Sequence, residues 1–234
     1  ARAVDEAMRA RMFCDYARLC VLAPGLVRDA RLLAEAGHVD GLRMFAQAAV
    51  TAAFAIKPFG YVDLATRLGE RALRAAEQAG DAVCAAAARF AIAQAALAGG
   101  CRRRSYHLAE SAAVELSDGG DDDARAWYGL LHLHAALSAG ALGRGDTAEA
   151  HLDEAARIAS HVAGDPWRME FGPTNVRLWR VGVALENGQP ERAPVLAAGV
   201  DPSGLRTPHR RARLHIDSGR GAFLAGDHTG AVRH

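Results

Sequence analysis

Asn175 is one of only two asparagines in the chain, and it stands at the start of a helix-forming stretch rich in alanine and valine. A side-chain amide can pair with both the N–H and the C=O of an extended peptide backbone. The same amide can instead cap the helix or tie the turn at Pro173 in place. Trp179 lies one turn on and Gly182 one turn further, a strip that reads either as a flat aromatic floor or as core. His132 and His134 are two residues apart, so they face different ways on a helix and do not build a metal site. His134 shares a stripe with Trp127, Leu130, Leu131 and Leu137, the pattern of a packed core histidine. His132 falls with Tyr128, Ala135 and Ala139, a face of small side chains that suits a groove. Arg168, next to Met169 in a short turn before Phe171, reads either as a partner for a carboxylate or as a solvated loop charge.

The remaining chemistry-bearing residues form no catalytic constellation. Asp121, Asp122 and Asp123 lack the spacing of a calcium loop and precede a helix, where acidic side chains favour the N-terminal dipole. Arg102, Arg103 and Arg104 read as a solvated run at a helix start. His107 and Glu110 lie three apart with no second ligand cluster, and Ser105 near His107 says little about geometry. No phosphate loop, nucleophile elbow or zinc motif occurs. The chain reads as non-enzymatic, with no metal and no cofactor.

The elements that must position these residues are helices. Glycine-marked breaks fall at Gly37, Gly60, Gly80-Asp81, Gly99-Gly100, Gly119-Gly120-Asp121, Gly145-Asp146, Gly164-Asp165, Gly188 and Gly226-Asp227. Two helices and two turns make a unit of about 40 residues, the size of a helical-hairpin repeat. Alanine dominates the segments between, and alanine is the best helix former. The spacing predicts helices over 3–22, ended before Pro24, and then to Ala36. Further helices are predicted over 39–56, 62–79, 83–97, 104–116, 127–142, 147–163, 173–186, 189–198 and 208–225, with a stub from Asp227. A polar loop is expected over 117–123 and a short turn over 166–171. The expected fold is all-α, a right-handed superhelical array of helical hairpins spanning 1–234 as one repeat domain. Such arrays present a long concave face.

The net charge of +1 argues against this segment binding nucleic acid by electrostatics alone. Lys57 is the only lysine. A phosphate-binding role would need arginines clustered on one face, and no Lys/Arg ladder of the kind that holds acidic tails is evident. Cys14, Cys20, Cys84 and Cys101 are scattered without a C-x-x-C, which reads as reduced, mostly buried thiols in a cytoplasmic protein. No apolar run approaches the ~20 residues of a membrane span.

The stretch from Ala135 through Gly143-Arg144-Gly145-Asp146 to Ala156 resembles a tetratricopeptide repeat, with small residues at Ala136, Ala148 and Ala155 and Leu152 as the large apolar position. A second resemblance rests on Phe171-Gly172-Pro173-Thr174-Asn175-Val176, Trp179-Arg180-Val181 and Val200-Asp201-Pro202. Leu131-His132-Leu133-His134-Ala135-Ala136 and Pro208-His209-Arg210-Arg211-Ala212-Arg213 add to it. These are similar to the tetratricopeptide-like C-terminal sensor region of actinobacterial XRE-type helix-turn-helix transcriptional regulators. The chain departs from that family in containing no helix-turn-helix module, since the basic recognition helix and tight turn are missing. The resemblance implies that the DNA reader lies upstream and that this piece is the regulatory half.

It further implies a small-molecule or peptide ligand in the concave groove, and the residues whose own chemistry and spacing make them candidates to hold it are Asn175, Trp179, His132, Tyr128 and Arg168. DNA would be contacted only through the upstream module, the protein would be a homodimer, and no membrane would be involved. The rival expectation is a protein-interaction scaffold whose groove docks a partner's tail.

Overall fold

The computed structural model describes residues 2–116, 120–163 and 165–233. The breaks expected at Gly119 and Gly164, and the first part of the loop expected over 117–123, lie outside the described residues. Among those described there are twelve α-helices and no strand. They are α1 (Arg2–Met12), α2 (Tyr16–Glu35), α3 (Val39–Ile56), α4 (Val62–Gln78), α5 (Ala82–Ala98), α6 (Arg102–Leu116), α7 (Asp122–Ala141), α8 (Gly145–Ala159), α9 (Pro173–Glu186), α10 (Arg192–Ala198), α11 (Pro208–Leu224) and α12 (His228–Val232). Short 3₁₀ turns occupy Lys57–Phe59, Pro166–Arg168 and Pro202–Gly204.

Each helix packs against the next, and each odd-numbered helix also packs against the following odd-numbered one. The odd helices therefore form one layer and the even helices the other, in a right-handed superhelical array of hairpins. Burial follows this arrangement. In α3 nearly every residue from Phe45 to Ala55 is buried, whereas α4 buries only Ala65, Gly69, Ala72, Ala75 and Ala76. A helix flanked by its own partner and by two neighbours has no face left for water. That accounts for α3 and its following turn (Val39–Phe59) being apolar enough, by length and composition, to cross a membrane while 61% of that window is buried inside the array.

Alanine lets the layers approach closely, and a file of aromatic rings links successive helices of the odd-numbered layer. Phe54 of α3 meets Phe90 of α5 edge to face at 6.1 Å, Phe90 meets Trp127 of α7 at 5.6 Å, and Trp127 meets Trp167 at 5.3 Å. Phe90 and Trp127 are fully buried.

Most turns are where the glycine spacing places them, but the break expected at Gly145-Asp146 is corrected: Gly143 is the left-handed residue of that turn, and Gly145 and Asp146 already belong to α8. Gly37, Gly60, Gly80, Gly100, Gly188 and Gly226 all adopt the left-handed conformation that ends a helix and that side chains with a Cβ rarely adopt. Asp81 then accepts from the Cys84 N–H, Asp121 from Ala124 and Asp227 from Gly230, which starts the next helix. Asp121 also explains why α7 begins at Asp122, five residues before the expected Trp127.

The first expected helix is corrected. The chain breaks at Phe13–Asp15, with Cys14 left-handed (φ 58°) and Asp15 capping the Arg18 N–H at 3.0 Å, and α2 then runs straight through Pro24. Pro24 and Cys20, whose carbonyl loses its helical partner, are both exposed, so that carbonyl is not left in a dry core. The thiols are also corrected: Cys84 alone is buried, and Cys14, Cys20 and Cys101 are exposed on turns and the outer layer.

Candidate ligand-binding groove

The inner helices α3, α5, α7, α9 and α11 curve around a cavity of about 640 Å³, and Arg11 of α1 and Tyr16 of α2 complete its rim. Its apolar wall is Phe54, Leu97, Leu137, Leu178 and Trp179. Its polar wall carries six cationic side chains, Arg11, Lys57, Arg102, Arg210, Arg213 and Arg220, against two carboxylates, Glu186 and Asp217. The absence of a Lys/Arg ladder expected from sequence is therefore corrected. Arg11 comes from the end of α1, Lys57 from the turn after α3 and Arg102 from the first turn of α6. Arg102 is thus not simply part of a solvated run. Only the stripe Arg210, Arg213, Asp217 and Arg220, at helical spacing on α11, was there to be found in advance.

The charges are unevenly matched. Arg213 donates to Asp217 at 2.5 Å, and Arg220 to Glu186 at 3.2 Å. Of the other four, Arg102 is exposed, and the three set deeper in the wall are bonded only to neutral groups among the described residues. Lys57 Nζ donates to Gln94 Oε1 at 2.5 Å, Arg210 Nη2 to the Met169 carbonyl at 2.9 Å, and Arg11 Nη2 to the Arg168 carbonyl at 3.3 Å. Desolvation, and after it the fields of Arg213, Arg11 and Arg210, push the Lys57 ammonium down to about 8. Burial and the neighbouring Arg11 bring Arg210 down to about 10, with Glu170 and Asp165 opposing. Burial and then Arg210 hold His209 at about 4, so it is neutral at pH 7.

The residues singled out in the sequence are divided among several places. Trp179 lines the groove, half-buried, with its indole N–H unpartnered among the described residues and its ring 6.4 Å from that of His134. Asn175 is 3% exposed, and neither amide atom has a partner among the described residues. It does not cap: the N-cap of α9 is Gly172, which makes no side-chain bond. Asn175 lines a separate, smaller cavity of about 250 Å³ with Glu170, Thr174 and Arg206.

Tyr128 and His132 are together, ring centroids 4.4 Å apart, but they face α8. Tyr128 donates to Glu154 at 2.9 Å, and the Nδ1 atoms of His132 and His151 are 2.8 Å apart. Arg168 donates to Asp5 of α1 at 2.7 Å, clasping the 166–168 turn to the first helix. His134 is core, 1% exposed, its Nε2 2.9 Å from Ser105 Oγ, and burial pushes it down to about 3. Among the described residues no three His, Cys, Asp or Glu side chains are grouped to hold a metal ion.

One close contact fixes the segment between α8 and α9. Phe171 lies over Gly129 of α7, where a Cβ would fall 2.0 Å from the ring. Trp167, Arg168 and Glu170 in this segment are all left-handed (φ 51°, 54° and 55°), an uncommon state for residues with side chains. The segment is thereby pressed against the inner layer, where the Met169 and Arg168 carbonyls meet Arg210 and Arg11.

No family model matches the chain, and no curated protein sequence does. Among solved structures the chain is similar to BtubC (BKLC) from P. vanneervenii. The two are 17% identical with a TM-score of 0.65, over 93% of this chain and 87% of that one. At that identity the likeness shows the helical-array fold.

Proposed function

We propose that this chain is the ligand-sensing and dimerising region of a one-component transcriptional regulator. Its concave groove receives a small signal molecule or peptide, and DNA is contacted through an upstream helix-turn-helix. The observation that carries the reading is the cavity of about 640 Å³ enclosed by five inner helices and the α1 rim. That volume is in the range of small-molecule sites, and an apolar wall with a few convergent polar groups is their usual lining. Binding acts by favouring one curvature of the array over another, and only differential affinity for the two curvatures shifts the balance.

A second reading is favoured by the six cationic side chains of the wall: a scaffold that docks an acidic tail. The clasp of α1 onto residues 165–169 counts against it, since a long tail needs an open channel. The test is a DNA-binding titration of the full-length protein with and without small-molecule and peptide extracts of the producing cells. A shift in DNA affinity that Trp179→Ala removes, with basal DNA binding intact, supports the sensor. Full-length protein that binds no DNA overturns it.

A further inference from the structure

Apart from the exposed Arg102, three cations in the groove wall have no carboxylate bonded to them among the described residues. Lys57, Arg11 and Arg210 come from three different elements, converge on one cavity, and among the described residues bond only neutral groups: the Gln94 amide, two backbone carbonyls and the Met169 sulfur. Bringing like charges together away from water is unfavourable unless an opposite charge joins them. The α11 stripe shows the contrast within the same wall, because Arg213 and Arg220 are each given a carboxylate. Glu170 and Asp165 act on Arg11 and Arg210 only through space, and the group without a bonded carboxylate is also where the chain places its single lysine. Beside it the lining is apolar: the Arg11 guanidinium sits 5.5 Å from the centre of the Phe54 ring, and Leu178 and Trp179 continue the wall.

From this geometry we infer that the groove binds an amphipathic anion. Its carboxylate or phosphate group is held by Lys57, Arg11 and Arg210, and its apolar body lies against Phe54, Leu178 and Trp179. The inference rests on the groove being the ligand site proposed above and names the chemical class of that ligand. Charge-assisted bonds to the anion are shorter and stronger than the neutral ones the three cations now make, and the bound anion supplies the charge the wall lacks.

The test is a fluorescence titration with 1-anilinonaphthalene-8-sulfonate, set beside its uncharged analogue N-phenyl-1-naphthylamine. Octanoate, octyl phosphate and octanol serve as competitors. Octanoate or octyl phosphate is expected to displace the sulfonate probe at concentrations about tenfold below octanol, and the better of the two identifies the head group. Lys57→Met is expected to weaken the sulfonate probe about tenfold and the uncharged probe less than about twofold. This variant removes an unfavourable charge, so it is expected to fold, and a thermal melt verifies that.

Gly182→Leu tests the location. A Cβ at Gly182 makes only ordinary contacts of 3.5–3.8 Å with Asp217, Arg213 and Leu137, so the longer side chain extends into the groove. It is expected to abolish binding of both probes. If Gly182→Leu abolishes binding but octanol competes as well as the anions, the anion preference is overturned and the groove remains a ligand site. If a folded Gly182→Leu variant binds both probes unchanged, the groove reading itself is overturned.

Discussion

The ring of Phe171 occupies the space that a side chain at Gly129 would need. A Cβ there would lie 2.0 Å from the ring's Cζ. Gly129 is inside α7, where alanine would otherwise be favoured by about 1 kcal/mol. The contact reverses that sign: Gly129→Ala is expected to destabilise the protein by about 1–3 kcal/mol through overpacking. In a Phe171→Ala background the same substitution is expected to become neutral or stabilising. Urea unfolding of the four proteins checks the cycle, and a Gly129→Ala cost that ignores residue 171 refutes the contact's role.

Lys57 is held in the charged form against desolvation and three guanidinium groups. Arg11 of α1 and Arg210 and Arg213 of α11 oppose its charge, His134 of α7 is nearby and neutral, and Gln94 Oε1 of α5 accepts a hydrogen bond from it. Its folded value of about 8 is below the unfolded value of 10.5. Between these the unfolded chain binds more protons, so this group's contribution to stability rises with pH. Lys57→Met is therefore expected to raise the Tm at pH 7, with its advantage over the wild type shrinking towards pH 10.5. Thermal melts of both proteins across that range decide it; a lower Tm for the variant at pH 7 contradicts the account.

Acid should loosen the fold through its buried imidazoles. His134 is held at about 3 and His132 at about 4, both chiefly by burial, against 6.5 unfolded. Their contribution is fully present above 6.5 and is lost as pH falls towards the folded values. For His134 alone the loss at pH 5 is about 2 kcal/mol. The predicted result is a steep fall in stability between pH 6.5 and 4, made shallower by His134→Gln relative to that variant's own stability at pH 7.

Arg168 has its guanidinium on Asp5 at 2.7 Å, on the rim rather than in the groove. Both side chains are substantially exposed, so the pair contributes no more than the little that a solvent-screened surface ion pair does. Arg168→Ala is expected to cost no more than that in urea unfolding. It should also leave probe binding in the groove within about twofold of wild type.

The helical layout was legible because its signals are local. The Val39–Ile56 and Pro173–Glu186 helices match their expected bounds, since glycine, proline and capping aspartate act within a few residues of themselves. Pro24 misled for the same reason: proline disfavours a helix by removing the bond to the carbonyl four residues back and crowding it, and here that carbonyl belongs to the exposed Cys20 and α2 continues across it. The groove was much less legible. Trp179 carried a signal through its helical stripe, but Lys57, Arg11 and Arg210 meet only after several helices have been stacked. Tyr128 and His132 shared a face as expected, but nothing local says whether a face of α7 turns to the groove or to α8.

The clasp between α1 and the 165–169 segment changes how the array should come apart. Stacked hairpins that touch only their neighbours can melt one unit at a time, from either end. Here Asp5 meets Arg168 across 163 residues and Arg11 meets the Arg168 carbonyl across 157. Those contacts raise the contact order of an otherwise local fold, which slows its formation. They also tie loss of the first hairpin to disturbance of the middle of the chain, so unfolding should approach a single transition where an open array would fray stepwise.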